Sequence, residues 1–240
     1  MKARLIKLCL AILKPIIWII KIIILNATPS SIIRPTTIDV VRNRALERSA
    51  KYIEQNMSKA MLFSDRKLLW SFAISKVTTS GIFAEFGLSF GKSMSHFSKV
   101  VPKDVTIQGF DSFEGLREDF IGTSWTSGAF TTKGMIPKFK ANVNLHVGWF
   151  NETLPKFLQN SNENFAFIHL DADTYESTSF VLTLLKDRIV IGTIIVFDEY
   201  LGIPNWEKSE HQAWAEFVSK NEKSYEYLAF SDQAAVIKVV

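Results

Sequence analysis

Apolar and polar positions along this chain alternate between short apolar runs and stretches of helical period. Runs at 82–86, 105–110, 143–147, 165–170, 192–197, 225–230 and 234–239 are too short for helices and rich in Val, Ile and Phe, which predicts strands. Helical patterns lie between most of them, at 91–100, 151–159, 175–187 and 207–220. Apolar strands alternating with helices predict an α/β fold with a doubly wound, mostly parallel sheet of seven strands, Rossmann-like in design. Ser231-Asp232-Gln233 alone joins the last two runs. That is too short for a crossover helix, so a hairpin is expected, with one strand antiparallel to the rest. Upstream, 38–61 and 65–77 predict amphipathic helices covering one edge of the sheet, apolar at Ile38, Val41, Ala45 and at Leu68, Leu69, Phe72. Residues 28–37, with two prolines among small polar residues, read as a linker to a single domain over 38–240.

From Leu8 to Leu25 the sequence is almost wholly aliphatic, broken by Lys14, Pro15 and Lys21. A simple span needs about 20 apolar residues, and a central lysine costs about 3 kcal/mol. Lys7, Lys14 and Lys21 recur every seventh residue and so form one narrow stripe on a helix. The pattern predicts a hydrophobic helix over 1–27 lying in a membrane interface and kinked at Pro15. A true span is the alternative; a cleaved signal peptide is disfavoured because Lys21 interrupts the apolar region.

Charge separates this segment from the rest. Residues 1–27 carry Lys2, Arg4, Lys7, Lys14 and Lys21 and no acid, which leaves 23 basic residues against 24 acids in 28–240. The formal charge of +4 therefore belongs to the N-terminal segment, and no basic footprint for nucleic acid remains in the body. A lone cysteine, Cys9, excludes an intrachain disulfide and suits a reducing compartment. Self-association as a homo-oligomer stays open.

Candidate chemistry collects where the strands end, which is where ligands bind in open α/β sheets. The run at 82–86 leads into Glu85-Phe86-Gly87, then Gly91-Lys92-Ser93 at the start of a helix. A glycine that lets a ligand lie against the backbone, helix-opening amides and a carboxylate for an ammonium suit a zwitterionic nucleoside cofactor. The second run ends in Asp111-Ser112, an acid placed to hold a ribose diol. The third ends in Gly148-Trp149-Phe150, whose rings would flank a base. The fourth and fifth end in Asp171-Ala172-Asp173 and Asp198-Glu199. With Asp111 these make five carboxylates at adjacent strand ends. Such like charges call for a divalent cation, and oxygen-only donors point to Mg²⁺ or a similar hard ion. Asp173 and Glu199 each also suit the cap of a following helix. His169 is expected to point into the core.

The series Glu85-Phe-Gly…Gly-Lys-Ser93, Gly109-Phe-Asp-Ser-Phe-Glu-Gly115, Gly148-Trp-Phe…Thr153-Leu-Pro155, His169-Leu-Asp-Ala-Asp-Thr-Tyr-Glu-Ser-Thr178 and Val196-Phe-Asp-Glu-Tyr200 resembles the macrocin O-methyltransferase (TylF-like) family over about residues 65–240. That resemblance implies a class I enzyme that moves a methyl group from S-adenosylmethionine to a sugar or phenolic hydroxyl with Mg²⁺. It implies methionine-end contacts from Glu85, Gly87 and Ser93, with Gly91 in the same turn. It also implies ribose contacts from Asp111 with Ser112 beside it, and further cofactor contacts from Gly148, Trp149 and Asp171. Metal ligation would fall to Asp171, Asp198 and Glu199, with Asp173 as the base; Glu199 lengthens one arm of a pair that is often two aspartates. The stretch 116–137, with Trp125 and Phe130, is expected to close over the acceptor or to be a loose surface loop.

One rival reading takes Asp171-Ala172-Asp173 as the Asp-x-Asp motif of a metal-dependent, membrane-associated glycosyltransferase. A dehydrogenase is weaker, because G-x-G-x-x-G is missing after the first strand. Since S-adenosylmethionine is made in the cytosol, the expected location is the cytosolic face of a membrane, with a membrane-linked glycan precursor as a candidate acceptor.

Overall fold

The computed structural model describes residues 13–16, 18–19 and 35–240. Most of the hydrophobic helix expected over 1–27 lies outside the described residues, of which 13–16 and 18–19 are helical, and so does most of the linker expected over 28–37. Among those described, no helix is long and apolar enough to cross a membrane. The chain divides into two compact units, Met1–Val41 and Arg42–Val240, and the second holds the sheet.

In chain order the elements are α1 (Thr37–Asn56), β1 (Met61–Leu62), α2 (Arg66–Ser75), β2 (Ile82–Phe86), α3 (Lys92–Val100), β3 (Ile107–Asp111), β4 (Val143–Val147), α4 (Phe150–Asn160), β5 (Phe165–Leu170), α5 (Tyr175–Leu185), β6 (Ile189–Phe197), a 3₁₀ turn (Trp206–Lys208), α6 (Glu210–Lys220), β7 (Tyr225–Phe230) and β8 (Ala235–Val239). The sheet has eight strands in the order β1-β7-β8-β6-β5-β2-β3-β4, not the seven expected. The addition is β1, a two-residue strand pairing parallel with β7 at the sheet edge. It falls where the helix expected over 38–61 was to end; that helix stops at Asn56, and the chain turns to reach β7. The expected hairpin forms, and β8 is its antiparallel member, paired with both β6 and β7.

The central strands are buried on both sides, which is why they read as unbroken apolar runs. On one face Ala84, Phe86, Phe110, Ile168, Leu170, Ile195 and Phe197 share a core with Leu154 of α4, Val181 and Leu182 of α5 and Trp214 of α6. On the other, Phe83, Ile107, Phe167, Ile194 and Val196 pack with Leu69, Trp70 and Ala73 of α2 and Met94 and Phe97 of α3. Strand order steps outward from β2 through β3 to β4, then returns to β5 on the other side of β2. The connections leaving β2 and β5 thus part to opposite faces and open a crevice at their carboxyl ends.

Candidate active site

Backbone hydrogen bonds extend past the strands and fix the rim of that crevice. Gly87 donates to the Phe110 carbonyl (3.0 Å), Asp171 to Phe86 (2.9 Å), Asp198 to Leu170 (3.0 Å) and Gly148 to Asp111 (3.0 Å). Gly87 is obligatory here: its φ is +89°, and a Cβ would stand 1.8 Å from the Asp171 carbonyl oxygen. Asp111 then pins the loop that follows. Its Oδ2 accepts from the Leu88 and Ser89 amides (2.6 and 2.7 Å), and its Oδ1 accepts from Phe113 N–H (2.6 Å).

The crevice encloses a cavity of about 700 Å³, the size of a cofactor or drug-like pocket. Of the residues singled out in the sequence, Gly87, Asp111, Ser112, Trp149, Asp171, Asp173, Asp198 and Glu199 line it. Four others do not. Gly91, at φ +72°, packs against Phe139 at the start of α3, and Gly148 serves the backbone turn at φ +138°. Glu85 is fully buried behind the wall, its Oε1 2.9 Å from Nδ1 of His169, and Ser93 faces the same carboxylate. His169 meets the Glu85 carboxylate at Oε1, while the carboxylate's buried Oε2 has no hydrogen-bond partner among the described residues.

His169 is in the core, as expected, but it is bonded rather than merely packed. Trp70 and Phe97 meet its ring edge-on, and Nε2 lies 3.4 Å from Oδ1 of Asp198. Burial works against its charge, yet Asp198 and Glu85 outweigh that and push its pKa up to about 10. A line of alternating charge thus runs under the crevice floor: Glu85, His169, Asp198 and, at 2.5 Å from Asp198 Oδ2, the Arg66 guanidinium. Burial works to raise the Asp198 pKa, but the neighbouring His169 and the Arg66 charge prevail and hold it below the usual range.

The remaining acids feel the opposite field. Burial, then repulsion from Asp198, lifts Asp171 and Glu199 well above ordinary carboxyls and brings Asp173 to about 7. Oxygens of Asp171, Asp173 and Glu199 lie within 4.8 Å of one another, and Glu199 Oε2 is buried with no hydrogen-bond partner among the described residues. Convergent carboxylate oxygens, one of them orphaned, fit a hard divalent cation. That trio contains Asp173; a second convergent group is Glu85, His169 and Asp171, and Asp198, whose Oδ2 is held by Arg66, falls in neither. Asp173 sits at φ +60°, a backbone strain that the surrounding structure sustains at the rim of the site.

Sequence reasoning missed several participants. Arg66 and Gln233 lie on the cavity wall, and Glu210, fully buried, accepts the Glu199 amide through Oε2 (3.0 Å). Burial raises the pKa of Glu210 to about 8. The stretch 116–137 is an ordered loop: Leu116 N–H donates to the Ala129 carbonyl and Gly128 N–H to the Leu116 carbonyl (2.8 Å each), Ser127 N–H donates to Asp119 (2.8 Å), and Ser89 Oγ donates to the Phe130 carbonyl (3.1 Å). It places Trp125 and Phe130 on the cavity wall, which Trp149 and Phe180 also line, with Arg117 over the Trp149 ring at 5.9 Å.

A sheet of this order, with a glycine turn after β2, an acid after β3 and acids after β5 and β6, defines the Rossmann-like methyltransferase fold. Residues 84–200, just under half of the chain, match the family model described as a methyltransferase domain. The match favours methyl transfer over the glycosyltransferase reading of Asp171-Ala172-Asp173. Demethyldecarbamoylnovobiocin O-methyltransferase of Streptomyces niveus is 31% identical over 70 residues, covering 29% of this chain and 26% of the relative. This chain therefore matches about a quarter of the length of that curated relative. Among solved structures, the calicheamicin methyltransferase CalS11 superposes with a TM-score of 0.60 at 20% identity, covering 85% of this chain and 94% of its own. The O-methyltransferase NovP gives 0.53 at 19%, covering 72% and 78%. At these identities the likeness concerns the fold.

Proposed function

We propose that this protein is an S-adenosylmethionine-dependent O-methyltransferase of the macrocin (TylF-like) type, acting on a hydroxyl of a sugar-containing or phenolic acceptor. One observation carries the reading: a single cavity joins a nucleoside-type wall to a cluster of carboxylates. The wall is Gly87–Ser89, Asp111, Ser112 and Trp149; the cluster is Asp171, Asp173, Asp198 and Glu199. Relatives named as O-methyltransferases favour an oxygen acceptor, and a second CalS11 structure bears the name TDP-rhamnose 3'-O-methyltransferase, which favours a sugar.

S-adenosylmethionine supplies an activated methyl group, and Mg²⁺ supplies positive charge that lowers a hydroxyl pKa. Asp171 and Glu199, with Asp173 beside them, are the groups that would hold the ion. Gly87 leaves the backbone open for close approach, Asp111 keeps the 87–91 turn in shape, and Trp149 offers a flat apolar face. Asp173, poised at about 7, takes the hydroxyl proton, which places a base of matched strength next to the acceptor. Trp125, Phe130 and Phe180 form the acceptor's apolar surroundings and limit water. The membrane role rests on the sequence of 1–27 alone. There we propose an interfacial helix that keeps the enzyme on the cytosolic face, near a lipid-linked glycan. Protease protection on sealed vesicles tests the side. Mass spectrometry of sugar and phenol panels incubated with methyl-labelled donor tests the activity; methyl groups found only on nitrogen, carbon or sulfur would refute it.

A further inference from the structure

Arg66 sits at the first position of α2, after Asp65, whose side chain caps the helix by accepting from Leu68 N–H (3.0 Å). A cation in the first turn of a helix opposes the macrodipole, so its placement needs another cause. The cause is visible across the sheet edge. Its Nη1 lies 2.5 Å from Asp198 Oδ2 and 3.8 Å from Glu199 Oε1, and its Nη2 donates to Gln233 Oε1 (3.1 Å). Arg66 and Gln233 both fall outside the 84–200 match, while the acids they meet fall inside it. The guanidinium is also on the cavity wall, with its side chain one-third exposed against 4% for Asp198. One permanent cation therefore closes the acid cluster from the solvent side, while His169 closes it from below.

We propose that Arg66 is the resident counter-cation of Asp198 and Glu199, and that a divalent ion enters the acid cluster only in competition with it. Glu199 is common to both: its Oε1 faces Arg66, while the residue also belongs to the convergent trio with Asp171 and Asp173. A divalent ion at the trio stands close to a fixed positive charge and is repelled by it. In the ion's absence the guanidinium keeps the buried acids together. The inference rests on the metal reading above but not on methyl transfer, and its test uses metal binding and unfolding instead of activity.

The experiment titrates the full chain with Mn²⁺, following the free ion by electron paramagnetic resonance, for wild type, Arg66→Gln and Arg66→Lys. Removing one nearby charge is expected to tighten Mn²⁺ binding roughly tenfold in Arg66→Gln. Arg66→Lys, which keeps the charge, should stay within about threefold of wild type on the same argument. In EDTA, Arg66→Gln should unfold at a lower temperature than wild type, and Mn²⁺ should restore it by more than it raises wild type. Unchanged or weaker Mn²⁺ binding in Arg66→Gln overturns the proposal. Binding to neither protein overturns it too, together with the metal reading, and leaves the methyltransferase reading standing. A glutamine variant that fails to fold even with Mn²⁺ shows that a divalent ion cannot take the place of Arg66, and so also refutes it.

Discussion

Replacing His169 by phenylalanine isolates the buried charge line beneath the site. The substitution keeps a ring of similar volume between Trp70 and Phe97 but removes both nitrogens, leaving Glu85 and Asp198 without their shared partner. Glu85 and His169 are fully buried and Asp198 is 3% exposed, so water does not replace the lost contacts. Breaking a buried ionic partnership costs about 3–5 kcal/mol. Proton linkage gives a similar size: holding a proton to about 10 instead of 6.5 corresponds to about 5 kcal/mol, and the burial that raises Glu85 offsets part of it. For a chain of this length that is a fall of roughly 6–20 °C in the unfolding midpoint. The sign with pH follows from a raised folded-state pKa. The stabilisation is fully present below 6.5 and is lost as pH rises through about 10. Urea unfolding of wild type and His169→Phe at several pH values between these limits is the assay. A stability gap below about 1 kcal/mol at the acid end would refute the reasoning, as would a gap that stays level or widens toward the alkaline end.

Gly87→Ala forces a left-handed residue and drives a Cβ into the Asp171 carbonyl, so a loss of at least about 2 kcal/mol in stability is expected, with S-adenosylmethionine binding abolished. Thermal unfolding and calorimetry check both. Asp111→Ala frees the Leu88, Ser89 and Phe113 amides and should weaken S-adenosylmethionine by about 1–3 kcal/mol, even in EDTA; an unchanged Kd would remove Asp111 from the cofactor site. As a base, Asp173 must be unprotonated, so kcat should rise with pH and then level off; burial and its neighbours bring its pKa to about 7 in the metal-free site, and a bound ion would move the rise to lower pH. In Asp173→Asn that rise should disappear along with most of the rate. A pH profile unchanged in shape would assign the proton transfer to another group.

The strands were legible because the central ones are buried on both faces and so spell unbroken apolar runs, with the first acid after each run marking the sheet's carboxyl edge. Asp171, Asp173, Asp198 and Glu199 could be found in this way because an ionisable residue ending an apolar strand has few structural reasons to be there. β1 was not legible: Met61 and Leu62 are only two residues long and mostly exposed, and their pairing with β7 is purely tertiary. Glu85 shows the other limit. Its neighbours in sequence are those of a cofactor turn, yet the register of β2 on β5 sets it opposite His169, which takes up one of its two oxygens. Arg66 comes from a helix 132 residues away from Asp198 and Glu210 from one beginning eleven residues after Glu199, and no motif spacing reveals either. A weak signal did exist for Arg66, a cation in a helix's first turn, where it is unfavourable without a partner.

The central claim is that the crevice between β2, β3 and β5 holds a methyl donor. Isothermal titration of the full chain with S-adenosylmethionine, in EDTA, tests it with the fewest assumptions. One-to-one binding that is lost in Gly87→Ala is the predicted result. No binding of S-adenosylmethionine by the wild type, with heat instead from a nucleotide sugar added with Mn²⁺, would contradict it.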